Sequence, residues 1–163
     1  MKKIIIYTIG FLALAGIVSA LASTGLKPSS YSNTKLIAQE NQFDFGQIAL
    51  TGGKARHNFI VKNDGGESVK INKIFTSCMC TTAVFKDKNG QIMAEFGMPG
   101  HGAGPASTNL EVGAGEEATI EAVFDPSVHG PAGVGLNQRS IFIETNSKTD
   151  PKLELKFQAT VVN

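Results

Sequence analysis

The sequence has few of the residues from which enzyme sites are most often built. Only two cysteines and three histidines occur in 163 residues. Neither a Gly-x-Ser-x-Gly nor a His-Glu-x-x-His motif is present, which excludes the common serine-hydrolase and zinc-protease signatures. Because we find no convincing catalytic set of side chains, we predict that the protein is not an enzyme.

Strong charge of either sign is also missing. The net charge is +1, and the only basic run is Lys2-Lys3 at the N-terminus. A surface that binds nucleic acid needs a basic patch or stripe, and the sequence offers none. Nucleic acid is therefore not an expected partner.

One long apolar run is present, and it indicates export. Lys2-Lys3 precedes an uncharged stretch from Ile4 to Ala22, and Ala20-Leu21-Ala22 fits a signal-peptide cleavage site. The run is also close to the length of about 20 residues that spans a bilayer, so a retained anchor remains an alternative. Both alternatives place the rest of the chain in the periplasm, on the cell surface or in the medium. No membrane contact is expected beyond this segment.

The remaining chain divides into a short linker and one domain. Residues 23–34 are rich in Ser, Thr, Gly and Pro, which predicts a flexible linker. Residues 35–163 have the size of a single domain. We therefore predict a signal peptide or anchor over 1–22, a linker over 23–34 and a domain over 35–163.

Helical periodicity is absent from the predicted domain. No segment after residue 35 keeps an apolar period of about 3.6 residues over three turns. Short alternating segments separated by Gly, Asn, Asp and Pro predict strands instead. These segments are Leu36–Ala38, Phe43–Ile48, Arg56–Lys62, Val69–Phe75, Thr82–Lys86, Gln91–Ala94, Ala118–Phe124, Ser140–Thr145 and Leu153–Val161. The pattern predicts an all-β antiparallel sandwich.

The alternation also predicts which side chains are buried. The residues on the apolar face of each predicted strand should form the core between the sheets. They are Phe59, Val61, Ile71, Ile120, Ala122, Phe124, Ile141, Ile143, Leu155 and Phe157. On the strand Val69–Phe75 the alternation places Val69, Ile71, Lys73 and Phe75 on one face and Ile74 on the other.

The two cysteines lie close together, as Cys78-Met79-Cys80, just after the strand Val69–Phe75. In an exported protein an even number of cysteines suggests a disulfide. In an extended strand, however, residues i and i+2 have Cα atoms about 6.5–7 Å apart, at the limit of disulfide geometry. Their side chains would share one face, where two thiolates can bind one ion. A metal site, a strained redox-active disulfide and two inert thiols are the alternatives.

Further soft or borderline donors lie in two later loops. Met98 and His101 belong to a glycine-rich segment, and His129 follows Asp125-Pro126 and precedes Gly130-Pro131. Thiolate, imidazole and thioether are the ligands that copper(I) and zinc prefer. His57 shares a face with Phe59, which predicts an internal, hydrogen-bonded core histidine outside the site.

These donors lead to one site hypothesis and two alternatives. We predict that Cys78, Cys80, His101 and His129 bind one copper(I) or zinc ion, with Met98 as an optional fifth donor. The first alternative is a structural or protein-interaction domain without metal, which contacts another envelope protein. The second is a thiol-disulfide relay through the cysteine pair. The oligomeric state does not follow from the sequence.

The order of several motifs resembles that of domain-of-unknown-function family 1573 (DUF1573). The motifs are Phe43-Asp44-Phe45-Gly46-Gln47-Ile48, His57-Asn58-Phe59, Lys62-Asn63-Asp64-Gly65, Cys78-Met79-Cys80-Thr81, Gly115-Glu116, Phe124-Asp125-Pro126 and Thr145-Asn146. The resemblance extends over most of residues 36–162. It implies an immunoglobulin-like β-sandwich in an exported bacterial protein, and no established activity.

The chain departs from the usual pattern of that family in three places. Met79 stands between the cysteines where glycine is common, and the segment with Met98 and His101 is an insertion. The long loop that carries His129 is also additional. Because all three departures add or surround potential ligands, they support the site hypothesis.

Overall fold

Two five-stranded sheets form the domain in the computed structural model, which describes residues 31–101 and 108–163. The predicted signal peptide or anchor, 1–22, and most of the predicted linker, 23–34, lie outside the described residues. The described end of that linker is attached to the domain, because Ser32 is buried and bridges Ser147. In the described part of the chain, no helix is long and apolar enough to cross a membrane.

Most connections along the chain cross from one sheet to the other, except that β5 and β6 are neighbours in one sheet and β9 and β10 are neighbours in the other. One sheet has the order β1-β3-β8-β5-β6 and the other β2-β10-β9-β4-β7. The strands are β1 Leu36–Ala38, β2 Gln42–Ala49, β3 Ala55–Asn63, β4 Val69–Thr76, β5 Thr81–Lys86, β6 Ile92–Phe96, β7 Leu110–Val112, β8 Glu117–Phe124, β9 Gly135–Thr145 and β10 Lys152–Val162. The all-β prediction is confirmed for the described residues.

One pairing differs from the predicted antiparallel sandwich. Strand β2 pairs with β10 in parallel, whereas every other strand pair in the described residues is antiparallel. After β1 the chain crosses to the other sheet. There β2 lies beside β10, the last strand, and runs in the same direction. The second sheet is therefore mixed.

The predicted core is confirmed residue by residue. All ten side chains that the alternation placed inside are at most 2% exposed. They include Phe59 and Phe124 from one sheet and Ile143 and Leu155 from the other. Both sheets therefore contribute to a single core, as the period-2 pattern requires.

Strand β4 contradicts the predicted face assignment. Its register with β9 shifts between Ile71 and Lys73, which marks a bulge at Asn72. A bulge inserts one residue and reverses the faces beyond it. Ile74 is therefore buried with Val69 and Ile71, while Phe75 is only partly buried and stacks on Phe142 with ring centroids 5.0 Å apart.

A buried amide joins the far end of β3 to two turns. Asn63 is fully buried, and its side-chain nitrogen donates towards the carbonyl oxygens of Glu67, Val112 and Gly113 at 2.7, 3.0 and 3.0 Å. Its side-chain oxygen accepts a hydrogen bond from the Gly65 amide. Asn63, the last residue of β3, therefore satisfies polar groups in both turns.

The hairpin between β5 and β6 turns at residues 87–91, and Gly90 lies in this turn. Gly90 has a φ of +79°, a conformation that L-residues with a Cβ adopt at a cost. We expect Gly90→Ala to lower the free energy of unfolding by about 1 to 2 kcal/mol. Urea denaturation measures this loss, and Gly66→Ala is the control because a Cβ there meets no atom within 4 Å and its φ is not positive. Equal losses in the two variants would contradict the assignment.

Candidate metal centre

The cysteines and His129 lie where two connections cross between the sheets. The first connection, residues 77–80, joins β4 in one sheet to β5 in the other. The second, the 3₁₀ segment Pro126–Gly133, joins β8 back to β9. Since β5 pairs with β8 and β4 pairs with β9, both connections lie at the same end of the sandwich.

The cysteines occupy a turn rather than the extended strand that the argument against a disulfide assumed. The Thr81 amide donates to the Cys78 carbonyl at 3.1 Å, and the Cys80 amide lies 3.4 Å from the Cys78 sulfur. The buried Thr76 hydroxyl lies 3.0 Å from the carbonyl oxygens of both Cys78 and Thr81. The strand geometry that argued against a disulfide is therefore wrong here. Both cysteines are nevertheless free thiols in the structure.

Neighbouring strands fix this turn in place. The Asp125 amide donates to the Cys80 carbonyl at 2.9 Å, which joins the turn to the end of β8. On the other side, the Ser77 amide donates to the Ser140 carbonyl at 2.9 Å, and the Ser140 amide donates to the Ser77 hydroxyl at 2.9 Å. Hydrogen bonds to both neighbouring strands therefore hold the turn.

Local sequence explains how the 3₁₀ segment carries His129. Asp125 caps its start by accepting a hydrogen bond from the Ser127 amide at 3.0 Å, and Pro126 fits the first position of the helix. Gly130 interrupts the segment with a φ of 54° and ψ of −147°, which glycine allows. His129 is the last residue before this interruption, and its ring reaches the cysteine turn.

Three donor atoms come together at this point. The His129 Nε2 atom lies 3.2 Å from the Cys78 sulfur, and the donor atoms of Cys78, Cys80 and His129 all lie within 4.8 Å of one another. Cys80 is buried at 2% exposure, Cys78 is partly buried and His129 is exposed. The group therefore opens to solvent on the histidine side and is closed on the Cys80 side.

A fourth residue, Arg139, contacts the buried thiol. Its Nε atom donates to the Cys80 sulfur at 3.1 Å. The two terminal nitrogens of the guanidinium donate to the Asn137 side-chain oxygen at 2.6 Å and to the Gln138 carbonyl at 2.8 Å. Because both ends of the guanidinium are fixed, its charge stays beside the two sulfurs.

The surroundings lower the pKa of the Cys78 thiol and raise that of the Cys80 thiol. Burial alone raises the pKa of Cys78, but hydrogen bonds from Cys80 and His129, helped by the charge of Arg139, lower it to about 7. For Cys80, burial is the main influence and raises the pKa, and the hydrogen bond with Cys78 raises it further against the opposing effect of Arg139. Cys78 is therefore the thiol that ionises first.

This difference predicts the order of chemical modification. At pH 7 iodoacetamide should alkylate Cys78 roughly tenfold or more faster than Cys80, because Cys78 is more exposed and more ionised. Between pH 7 and pH 6 the rate at Cys78 should fall about fivefold, since the thiolate is lost as the pH drops below a pKa of about 7. Brief labelling and fragment-ion mass spectrometry assign the modified sulfur. Equal rates at the two cysteines would contradict the assignment.

Two other predicted ligands, His101 and Met98, lie in the segment that follows β6. His101 is exposed in a turn, and its ring nitrogens are not among the donor atoms that lie within 4.8 Å of one another. Met98 is partly buried just after β6, where the carbonyl of neighbouring Gly97 accepts the Thr76 amide at 3.2 Å. The segment with Met98 therefore starts beside the cysteine connection, and ligation by Met98 or His101 stays a prediction.

His57 also behaves as a residue outside the site. It stacks on Phe43 with ring centroids 3.6 Å apart, and its Nε2 atom lies 2.7 Å from a Glu40 carboxylate oxygen. The predicted hydrogen bond is confirmed, although the ring is partly exposed rather than internal. It belongs to an aromatic cluster with Phe45 and Phe59.

Sequence reasoning missed Arg139. The predicted strand began one residue later, at Ser140, so Arg139 was left in a connection. The alternation of inward side chains extends back along β9, from Ile143 and Ile141 through Arg139 to the buried Asn137. A basic residue in register with core positions was the signal that could have identified it.

Solved structures confirm the type of fold. A protein of unknown function from Porphyromonas gingivalis W83 is similar, with a TM-score of 0.59 and 16% identity over 84% of this chain and 51% of that chain. This chain thus spans about half the length of that protein. The ASH / PapD-like domain 7 of human CEP192 gives a TM-score of 0.50 and 15% identity over 86% of this chain and 95% of that chain. At these identities the likeness shows a PapD-like, immunoglobulin-like fold and nothing further.

Comparisons of sequence match a smaller part of the chain than comparisons of structure do. No curated protein matches the chain. A family model does match from the start of β1 to the end of β7, a range that includes both cysteines but not His129 or Arg139. Residues 36–112 match the family described as "Protein of unknown function (DUF1573)", and the resemblance seen in the sequence motifs is confirmed over this part of the chain.

Proposed function

We propose that the protein is a non-enzymatic, exported immunoglobulin-like module that binds a soft metal ion through Cys78, Cys80 and His129. The observation that supports this most directly is the approach of three soft or borderline donors to within 4.8 Å of one another. Two sulfurs and an imidazole suit copper(I) or zinc. Export rests on the apolar run of residues 4–22 and on the family resemblance.

The geometry favours metal binding over two inert thiols. Inert buried cysteines need only apolar neighbours. Here an imidazole from a distant part of the chain lies 3.2 Å from one sulfur, and a guanidinium lies 3.1 Å from the other. Such neighbours stabilise thiolates, which are the form that binds metal.

A second function, contact with another envelope protein, is supported by exposed apolar side chains near the same site. Met79 lies between the cysteines and is 50% exposed, and Val128 precedes His129 at 40% exposure. Val134 and Leu136 follow the 3₁₀ segment and are 41% and 64% exposed. A partner that docks here would cover the metal site, so the two functions are compatible.

Direct metal analysis tests the proposal. The domain, purified without a histidine tag and kept reduced, is incubated with copper(I) or zinc, dialysed and analysed for bound metal. We expect one ion per chain and a rise in melting temperature, because a ligand that binds only the folded state stabilises it. Absence of bound metal, together with a melting temperature that neither metal nor chelator changes, would reject the proposal and leave the interaction domain.

A further inference from the structure

We propose that Arg139 makes this site selective for a monovalent soft ion, copper(I), over divalent zinc. This inference rests on the proposed metal binding and names the ion that the site accepts. Arg139 acts as a positioning and charge-matching residue rather than as a ligand. Nothing in the family description assigns a role to this residue.

The guanidinium of Arg139 has sulfur rather than carboxylate neighbours. Arg139 is partly buried, and among the described residues no carboxylate lies within 4.0 Å of it. Its Nε atom instead faces the buried sulfur of Cys80 at 3.1 Å. The negative charge that this cation needs must therefore come from the thiolates.

Charge balance then distinguishes the two ions. Metal binding requires both cysteines as thiolates and the histidine as neutral imidazole. A monovalent ion cancels one of the two thiolate charges, and Arg139 cancels the other. A divalent ion cancels both thiolates by itself, which leaves the partly buried guanidinium without a counter-charge. Because uncompensated buried charge is unfavourable, the pocket favours the monovalent ion.

The hydrogen bond from Arg139 to the Cys80 sulfur also favours the monovalent ion. A donor on a thiolate withdraws electron density from the sulfur and weakens its bond to a strongly charged Lewis acid. Since the guanidinium is fixed by Asn137 and Gln138, it cannot turn away when a metal arrives. The phenyl ring of Phe124 lies on one side, with its centroid 6.0 Å from the guanidinium carbon.

The number of donors is a second, independent observation. Three His or Cys donor atoms converge, and no described Asp, Glu, His or Cys adds a fourth within 4.8 Å of all three. Structural zinc sites almost always have four protein ligands. Thiolate ligands suit both copper(I) and zinc, so the number of donors is what separates the two ions: three donors are enough for copper(I), whereas a closed zinc site would lack one. Both charge and donor number therefore identify the same ion.

The experiment measures selectivity and not only binding. Copper(I) affinity is determined by competition with a chromogenic copper(I) chelator, and zinc affinity by competition with a zinc-sensitive dye, for the wild type and for Arg139→Gln and Arg139→Lys. We expect Arg139→Gln to weaken copper(I) binding by about 10- to 100-fold, the usual effect of losing a partner of a metal ligand. Zinc binding should be unchanged or stronger. Arg139→Lys keeps the charge and should retain part of the copper(I) preference.

Arg56→Gln is the matched control for Arg139→Gln. It changes the net charge equally, but Arg56 is exposed and pairs with Glu121 on another strand, so selectivity should not change. A wild-type protein that binds neither ion rejects the proposed metal function itself. Binding of both ions, with Arg139→Gln weakening them equally or not at all, overturns the role of Arg139 while the metal function stands. X-ray absorption of the wild type decides the case if Arg139→Gln fails to fold: three-coordinate copper(I) supports the inference, and tighter, four-coordinate zinc overturns it.

Discussion

The Cys78→Ser and Cys80→Ser variants are expected to lose tight binding of copper(I). Each change removes one of the two thiolate donors, and a hydroxyl oxygen is a poor ligand for a soft ion. The loss should exceed the roughly 10- to 100-fold that follows removal of a partner outside the metal's ligands. Competition with a copper(I) chelator measures it. Retention of wild-type affinity in either variant would contradict a site built on both sulfurs.

The histidines and methionines provide matched controls for this result. His129→Ala should weaken metal binding, because its ring nitrogen lies 3.2 Å from the Cys78 sulfur. His101→Ala changes an equally exposed histidine outside the group of three, and its effect tests whether that residue joins when metal is present. Met98→Leu should weaken copper(I) more than zinc if the thioether binds. Met93→Leu, on the exposed face of β6, is the control for losing a methionine.

The largest effect on stability is expected for Asn63→Asp. The amide nitrogen of this buried residue faces three carbonyl oxygens, at 2.7, 3.0 and 3.0 Å. A carboxylate of the same shape cannot donate to them and places a negative charge against three negative dipoles. We expect a loss of about 3 to 5 kcal/mol at neutral pH, which is a large share of the 5–15 kcal/mol typical of a domain.

The pH dependence of this variant has a definite sign. Burial among carbonyl groups raises the pKa of an introduced carboxyl above its unfolded value of about 3.9, so the penalty grows as the pH rises above that value. Urea unfolding at pH 7 and pH 5 should therefore show a smaller loss at pH 5. Asn72→Asp, on an exposed position of β4, should change stability by only about 0.5 kcal/mol. Similar losses in the two variants would show that the buried network does not matter.

The period-2 pattern was sufficient to predict the core, because burial of one face of a strand requires an apolar residue at every second position. Phe59, Ile143 and Leu155 could be assigned without any structure. The bulge at Asn72 could not be predicted. One inserted residue reverses the faces of the strand, but no particular residue type marks the position of the insertion. Strand β7, Leu110–Val112, was missed because its three residues lie between two glycine-rich segments, which indicated a loop.

The candidate site was only partly predictable for a different reason. Residue type and turn signals identify possible ligands, but they do not show which loops meet in space. His101 and His129 looked equivalent in sequence, and only the adjacency of two crossover connections brings His129 to the cysteines. Arg139 was missed because the alternation of β9 was not followed far enough towards the N-terminus.

The distance along the chain between the parts of this site has a consequence for its assembly. Cys78 and His129 are separated by 51 positions, and Cys80 is covered by elements that follow it, including Arg139. A chain that is synthesised from its N-terminus therefore presents both thiols before β8 and β9 exist to shield them. During that interval the cysteines are open to oxidation and to any metal nearby. Metal loading after folding, or a factor that keeps the emerging thiols reduced, would prevent the chain from being trapped with oxidised cysteines or the wrong metal.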